Sequence, residues 1–321
     1  MLKTLTLTLA AGLALSSSLR AEKAVTVDPK MPTYVKVAGV TGNLNSVGSD
    51  SLNNLMTFWV EKFQAAYPNV KIQVEGKGSG TAPPALIAGT SQIGPMSREM
   101  KAEEIDQFEK KYGYKPTKVA VALDTLGVYV HKNNKIKSFS MEQLDGIFSK
   151  TRKTGTKEIL TWGDLGMTGE FAAKPISIYG RNSASGTYGY FKEHALKGGD
   201  YKDTVKEQPG SSSVVQSVGT DKFAIGYSGI GYKTSEVRAV PLSLTPDGPV
   251  FEANYENALN GKYPIARFLY IYVNRDPQKP ADPLVQQFMA FVLSKQGQEI
   301  VVKDGYYPLP KKMIDEQIKG L

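Results

Sequence analysis

Three short stretches of this chain combine glycine with hydroxyl side chains: Gly48-Ser49-Asp50-Ser51, Gly78-Ser79-Gly80-Thr81 and Ser185-Gly186-Thr187. Each follows a strand-like run and precedes a helical pattern. A helix start presents amide hydrogens without intrahelical partners and a partial positive charge, so it attracts anions. Glycine lets the backbone approach a ligand closely, and serine and threonine add donors without adding charge. Taken singly, each loop reads as plain N-capping by Ser, Thr or Asp. Three in one chain, the last within Arg181-Asn182-Ser183-Ala184-Ser185-Gly186-Thr187, turn the reading toward a shared anion site. The planar Arg181 guanidinium can hold two oxygens of a tetrahedral anion at once, which lysine does less well. Ser185, the Gly186 amide and Thr187 would complete that half of a cage.

The elements that must position these loops alternate between the two periods, which argues for βαβ units and an α/β protein. Strands are expected at residues 45–47, 70–74, 176–179, 223–227 and 268–273, the last with Arg267 before it. Helices are expected from Leu52 to Phe63, where Trp59 is core, and over 84–88, 101–112, 188–196, 213–218 and 283–293. A further helix, 141–148, is capped by Ser140. The β-rich run 119–130 is interrupted by Asp124 and Gly127 and could pass between two lobes. Residues 237–242 read as a return strand. The expected division is 1–21 as a signal segment, 22–125 with 240–321 as a first, discontinuous lobe, and 126–239 as a second lobe inserted into it.

Arg-x-x-x-Ser-Gly-Thr after a strand resembles the signature of the phosphate-binding proteins of bacterial phosphate ABC transporters. The resemblance extends over nearly the whole mature chain, through Gly48-Ser49-Asp50-Ser51-Leu52, Gly78-Ser79-Gly80-Thr81 and Gly94-Pro95-Met96-Ser97-Arg98. It continues in Thr161-Trp162-Gly163-Asp164-Leu165-Gly166 and Ala224-Ile225-Gly226-Tyr227. It implies a fold like the type II periplasmic binding proteins, two α/β lobes joined by a two-segment hinge and closing on one oxyanion. It also implies that Ser49, Asp50, Ser51, Ser79, Ser97, Arg181, Ser185, Gly186 and Thr187 line the phosphate site. The partners implied are inorganic phosphate and a membrane permease, with the protein itself a monomer.

One departure matters. Some family members carry an acidic residue after the serine matching Ser97, and it accepts the proton that phosphate keeps near pH 7 and sulfate lacks. Arg98 stands there in this chain. The carboxylate role is therefore assigned to Asp50, against the alternative of a helix cap facing solvent. Arg98 is either a second cation in the site or a surface partner of Glu99 or Glu103.

Composition narrows the remaining classes. With 39 Lys and Arg against 31 Asp and Glu, the formal charge is +8, and no basic stripe interleaved with aromatics suggests nucleic acid. Lys3, the apolar run 5–15 and the small-residue stretch 16–21 read as an export signal cleaved after Ala21. Cysteine is absent, so no disulfide, thiolate nucleophile or cysteine metal site is available, which suits a periplasm. The two histidines, His131 and His194, lack metal-type spacing, and there is no Gly-x-x-x-x-Gly-Lys-Ser/Thr string. Lys77 occupies the first glycine position that a nucleophile elbow at Ser79 would need. The expectation is a binder without a cofactor, not an enzyme. The competing readings are a sulfate or molybdate receptor on the same fold, a secreted phosphoesterase, and a surface role in adhesion or sensing.

Overall fold

The computed structural model describes residues 24–321. The expected signal segment and its cleavage point at Ala21 lie outside the described residues. In the first lobe, β1 (Gly42–Val47) leads through a single 3-10 turn, Asp50–Leu52, into α1 (Asn53–Ala66). That helix buries Leu55, Met56, Trp59, Val60 and Phe63 and exposes Asn54, Glu61 and Lys62, the one-sided pattern that predicts it. Trp59 is core, its indole N–H donating to the Gly297 carbonyl at 2.8 Å. Next come β2 (Val70–Glu75), α2 (Ala82–Ala88), β3 (Ile93–Met96) and α3 (Ala102–Tyr112). β1 lies between β2 and β3 and is parallel to both.

The strand that follows, β4 (Thr117–His131), is buried from Val119 to Val130. It enters the second lobe, which contains β5 (Phe139–Ser140), α4 (Met141–Phe148), β6 (Ser177–Arg181), α5 (Gly186–His194) and β7 (Lys206–Gln208). Then follow α6 (Ser211–Thr220), β8 (Ala224–Gly229), β9 (Val237–Ala239), β10 (Leu242–Ser243), β11 (Val250–Phe251) and α7 (Tyr255–Leu259). The chain returns through β12 (Ala266–Val273) and ends with α8 (Pro283–Val292), α9 (Lys295–Lys303) and α10 (Lys311–Lys319). Ser140 and Gln143 form a reciprocal capping box at the start of α4, with bonds of 3.1 and 2.9 Å.

β4 joins the two lobes. Through Thr125 it pairs antiparallel with β12, and from Leu126 onward it pairs with β8. Its Leu126, Val128 and Val130 point into the core of the second lobe, while Tyr129 faces the α6 valines on the other side, the alternation a strand imposes. The first core gathers α1, the N-terminal half of β4, β12 and α8.

Two expectations change. Residues 237–242 do not return to the first lobe: β9 pairs with the far end of β4, and β10 pairs with β5. Val240, Leu242, Tyr263 and Ile265 then pack in the second core, whereas Ala258 of α7 packs in the first, and the chain joins the β4 half of the first lobe's sheet from Ala266 rather than from 240. The reason is that an apolar run such as 237–242 satisfies its backbone on whichever strand edge is open, and burial alone does not specify which.

Candidate functional site

The predicted loops converge where β4 and β12 cross between the lobes. Gly48 leaves β1 with its amide donating to the Glu75 carbonyl at 2.9 Å, and Ser49 N donates to the Pro95 carbonyl at 2.8 Å. A Cβ on Gly48 would lie 2.1 Å from the Pro95 oxygen, so only glycine lets the loop run against β3. Ser49 caps the 3-10 turn by accepting from Ser51 N at 3.2 Å, and its hydroxyl donates to Ser97 Oγ at 3.0 Å. Ser79 is fully buried; its Oγ accepts from Ser97 N at 3.0 Å and lies 3.2 Å from Ser97 Oγ.

The second lobe meets this cluster through α5. Ser185 is the N-cap, its Oγ accepting from Thr187 N at 3.1 Å and Tyr188 N at 3.4 Å. The helix starts at Gly186, two residues earlier than its apolar pattern, so Gly186 and Thr187 belong to the first turn, with their amides at its open end. Thr187 Oγ1 lies 2.8 Å from Ser51 Oγ, and the Gly80 amide donates to the Ala184 carbonyl at 3.0 Å. Gly186 sits so close that a Cβ there would be 2.2 Å from Ser79 Oγ and 2.7 Å from Ser97 Oγ. The hydroxyls of Ser49, Ser51, Ser79, Ser97 and Thr187 thus form one buried cluster spanning both lobes.

Arg181 ends β6 and is 1% exposed. Its Nη1 donates to Ser211 Oγ at 2.7 Å and its Nη2 lies 3.2 Å from Asp50 Oδ2. Its Nε–H is buried and has no hydrogen-bond partner. Burial lowers the pKa of the guanidinium, and the Asp50 carboxylate opposes that shift. Asp50 neither caps the turn nor simply faces solvent: its Oδ2 accepts from Ser211 N and Ser211 Oγ, both at 2.8 Å, across the cleft.

Arg98 takes neither of the expected positions. It forms a bidentate pair with Glu104, at 2.8 and 2.7 Å, and donates to the Glu99 carbonyl rather than to the Glu99 or Glu103 side chains. Glu104 is the N3 residue of α3, three positions after the Lys101 cap, so its carboxylate is fixed where a fork of two N–H groups can meet both oxygens. Burial would raise that carboxyl, but the Arg98 bonds and the Lys101 amide outweigh it and hold it below its ordinary value.

Two groups enter that the motif reading does not include. Ser211 starts α6 and links Arg181 to Asp50. Arg267, in β12, donates from Nε to Asp124 Oδ2 at 2.9 Å, from Nη1 to the Ser97 carbonyl at 2.8 Å and from Nη2 to Thr187 Oγ1 at 2.9 Å. Asp124 is fully buried, and its carboxyl is raised by burial, against the pull of Arg267. Both were visible as signals: Ser211 sits in Gly210-Ser211-Ser212-Ser213 before an apolar helix, and Asp124 and Arg267 are charges in or beside apolar strands. A buried charge needs a partner, and these two find each other. Among the described residues no group of three or more His, Asp or Glu side chains could hold a metal ion. No described helix is long and apolar enough to cross a membrane.

Residues 35–296 match the family model of the PBP superfamily domain. The phosphate-binding protein PstS of Pseudomonas aeruginosa is 56% identical over 313 residues, covering 97% of this chain and 95% of that relative. A PstS of Staphylococcus epidermidis is 29% identical over 284 residues, covering 87% and 83%. Among solved structures, a substrate-binding protein from Clostridium perfringens, assigned to phosphate ABC transport and solved with bound phosphate, superposes with a TM-score of 0.70. It has 27% identity and covers 84% of this chain and all of that one. An ABC-type phosphate transport receptor from Vibrio cholerae shares the fold, with a TM-score of 0.65 at 23% identity, covering 83% of this chain and 100% of that one.

Proposed function

This chain belongs to the PBP superfamily and, within it, to the phosphate-binding proteins named PstS, and we propose that it captures inorganic phosphate and hands it to the permease of a phosphate ABC transporter. The observation that carries the reading is Arg181, a fully buried guanidinium whose Nε–H is without a partner beside a two-lobed cluster of hydroxyls. A tetrahedral anion supplies what such a donor lacks. The ligands we assign are Ser49, Asp50, Ser51, Ser79, Ser97, Arg181, Ser185, Gly186 and Thr187.

The mechanism is capture by closure. With the lobes apart, the Ser49, Ser79 and Ser97 loops lie on one side, and Arg181 with the start of α5 lies on the other. The anion bridges them, and the hinge is the paired crossing of β4 near Asp124–Leu126 and β12 near Ala266. Fixed amides, hydroxyls and a guanidinium replace its hydration shell, and the closed form is favoured only as far as it contacts the anion better. Asp50 supplies the carboxylate to which phosphate can donate its proton and sulfate cannot. We read the site as a binder rather than a catalyst: its hydroxyl–carboxylate contact, Ser211 to Asp50, has both partners held by the Arg181 guanidinium. Export by the N-terminal segment places the protein in the periplasm, where it works as a monomer.

Calorimetric titration of the mature protein, residues 22–321, with phosphate, sulfate and molybdate at two pH values tests this. Saturable one-to-one binding of phosphate, lost in Arg181→Ala with the thermal transition retained, is the expected outcome. Preference for another oxyanion, or unchanged phosphate affinity in Arg181→Ala, would overturn the assignment.

A further inference from the structure

We propose that Arg267 is a positioning residue of the anion site: it acts through Thr187 to leave one hydroxyl hydrogen aimed at the anion, and it ties the two lobes together when they close. This rests on the phosphate reading of the same cluster. Arg267 is 5% exposed and touches three separate parts of the chain. Its Nη1 holds the Ser97 carbonyl in the first lobe, its Nε holds Asp124 on the crossing strand, and its Nη2 holds Thr187 Oγ1 in the second. The guanidinium also lies over the Tyr190 ring, 5.4 Å from its centre, one turn further along α5.

The hydrogen count gives Arg267 its role. A guanidinium has only donors, so Thr187 must accept from it. Thr187 Oγ1 and Ser51 Oγ, 2.8 Å apart, share one hydrogen between them. Two hydroxyls own two hydrogens, so the second points out of the pair. Without Arg267, the Thr187 oxygen could turn a lone pair toward the anion instead. Asp124 offsets the charge of Arg267 and holds its fork in plane, and the Ile230 amide fixes the other carboxylate oxygen at 3.0 Å. Opening the lobes separates Arg267 from Thr187 and Tyr190 but leaves Asp124 and Ser97 in place. The contacts to α5 are therefore made only in the closed form.

A double-mutant cycle tests this, with phosphate titration and stopped-flow release as readouts. Arg267→Lys keeps the charge beside Asp124 but cannot reach three partners, and Thr187→Val removes the hydroxyl. Each single change should weaken phosphate binding on the order of tenfold, seen mainly as faster release, and the double variant should bind no worse than the weaker single. Should Arg267→Lys fail to fold, the paired change Arg267→Met with Asp124→Asn, which leaves no lone buried charge, takes its place in the cycle. Losses that multiply in the double variant, or wild-type release from Arg267→Lys, would overturn the proposal. The Arg181→Ala variant separates the two readings: if it binds phosphate normally the whole site is misplaced, whereas if it fails while the cycle is additive only the role of Arg267 falls.

Discussion

Replacing Gly186 by alanine puts a methyl group where the two lobes meet. The new carbon would lie 2.2 Å from Ser79 Oγ, 2.7 Å from Ser97 Oγ and 2.8 Å from Ser79 Cβ. Rotating the Ser79 hydroxyl does not clear the clash, because Ser79 Cβ is itself too near and Oγ is tied to Ser97 N at 3.0 Å. The start of α5 must therefore retreat from the serine loops, by about 0.8 Å to bring the shortest contact from 2.2 Å to 3.0 Å. Overpacking of this kind costs about 1–3 kcal/mol in a close-packed interface. The cost falls on the closed form alone, so phosphate affinity drops roughly 5- to 150-fold. The open form has no such contact, and alanine in place of glycine in a helix contributes up to about 1 kcal/mol in its favour. Calorimetric titration paired with a thermal scan of the phosphate-free protein reads both effects. Weaker binding with an unchanged or raised melting temperature is expected. Affinity within twofold of wild type would refute closure of α5 onto Ser79 and Ser97, and a fall in both quantities would show that the damage is to the fold.

Three other substitutions probe separate parts of the account. Asp50→Asn removes the carboxylate proposed to repel an unprotonated dianion, and should raise sulfate binding relative to phosphate by about tenfold in a competition titration. Asp304 has a buried, unpartnered Oδ2 and a carboxyl pushed up by burial from 3.8 to about 7. The folded protein therefore holds this proton more tightly than the unfolded chain, and stability falls as pH rises from about 4 to about 7, then levels. Calorimetric scans of Asp304→Asn should show a shallower decline over that window than wild type. Ser140→Ala deletes the cap of α4 and should lower unfolding stability by about 1 kcal/mol in denaturant titration, without changing phosphate affinity.

The strand-to-helix junctions at the three glycine-hydroxyl loops were legible because their signals are local. A strand end, a glycine and a hydroxyl cap announce a helix N-terminus within a few residues, and the Arg181 to Thr187 stretch carries its charge and its cap together. The same locality identified α4 from its Ser140 cap, and the apolar face of α1. What was less legible depends on partners distant in sequence. Arg267 and Asp124 are 143 positions apart, and each alone reads as an interruption of an apolar strand. Ser211 lies 161 positions from Asp50, and nothing near either residue indicates that they meet. Arg98 faced three neighbouring acids, and the choice of Glu104 depended on helix phase rather than on charge. The path of residues 240–265 was hidden for a similar reason, since a short apolar strand does not say which sheet edge it will join.

Arsenate has the shape and protonation of phosphate, and its anomalous scattering locates it without ambiguity. Crystals of the mature protein grown with arsenate should show one strong anomalous peak per molecule, within hydrogen-bonding distance of Arg181 Nε and of the amides that open α5. A peak outside the space between Arg181, Ser79 and Thr187, or none at saturating arsenate, would contradict capture of the anion between the lobes.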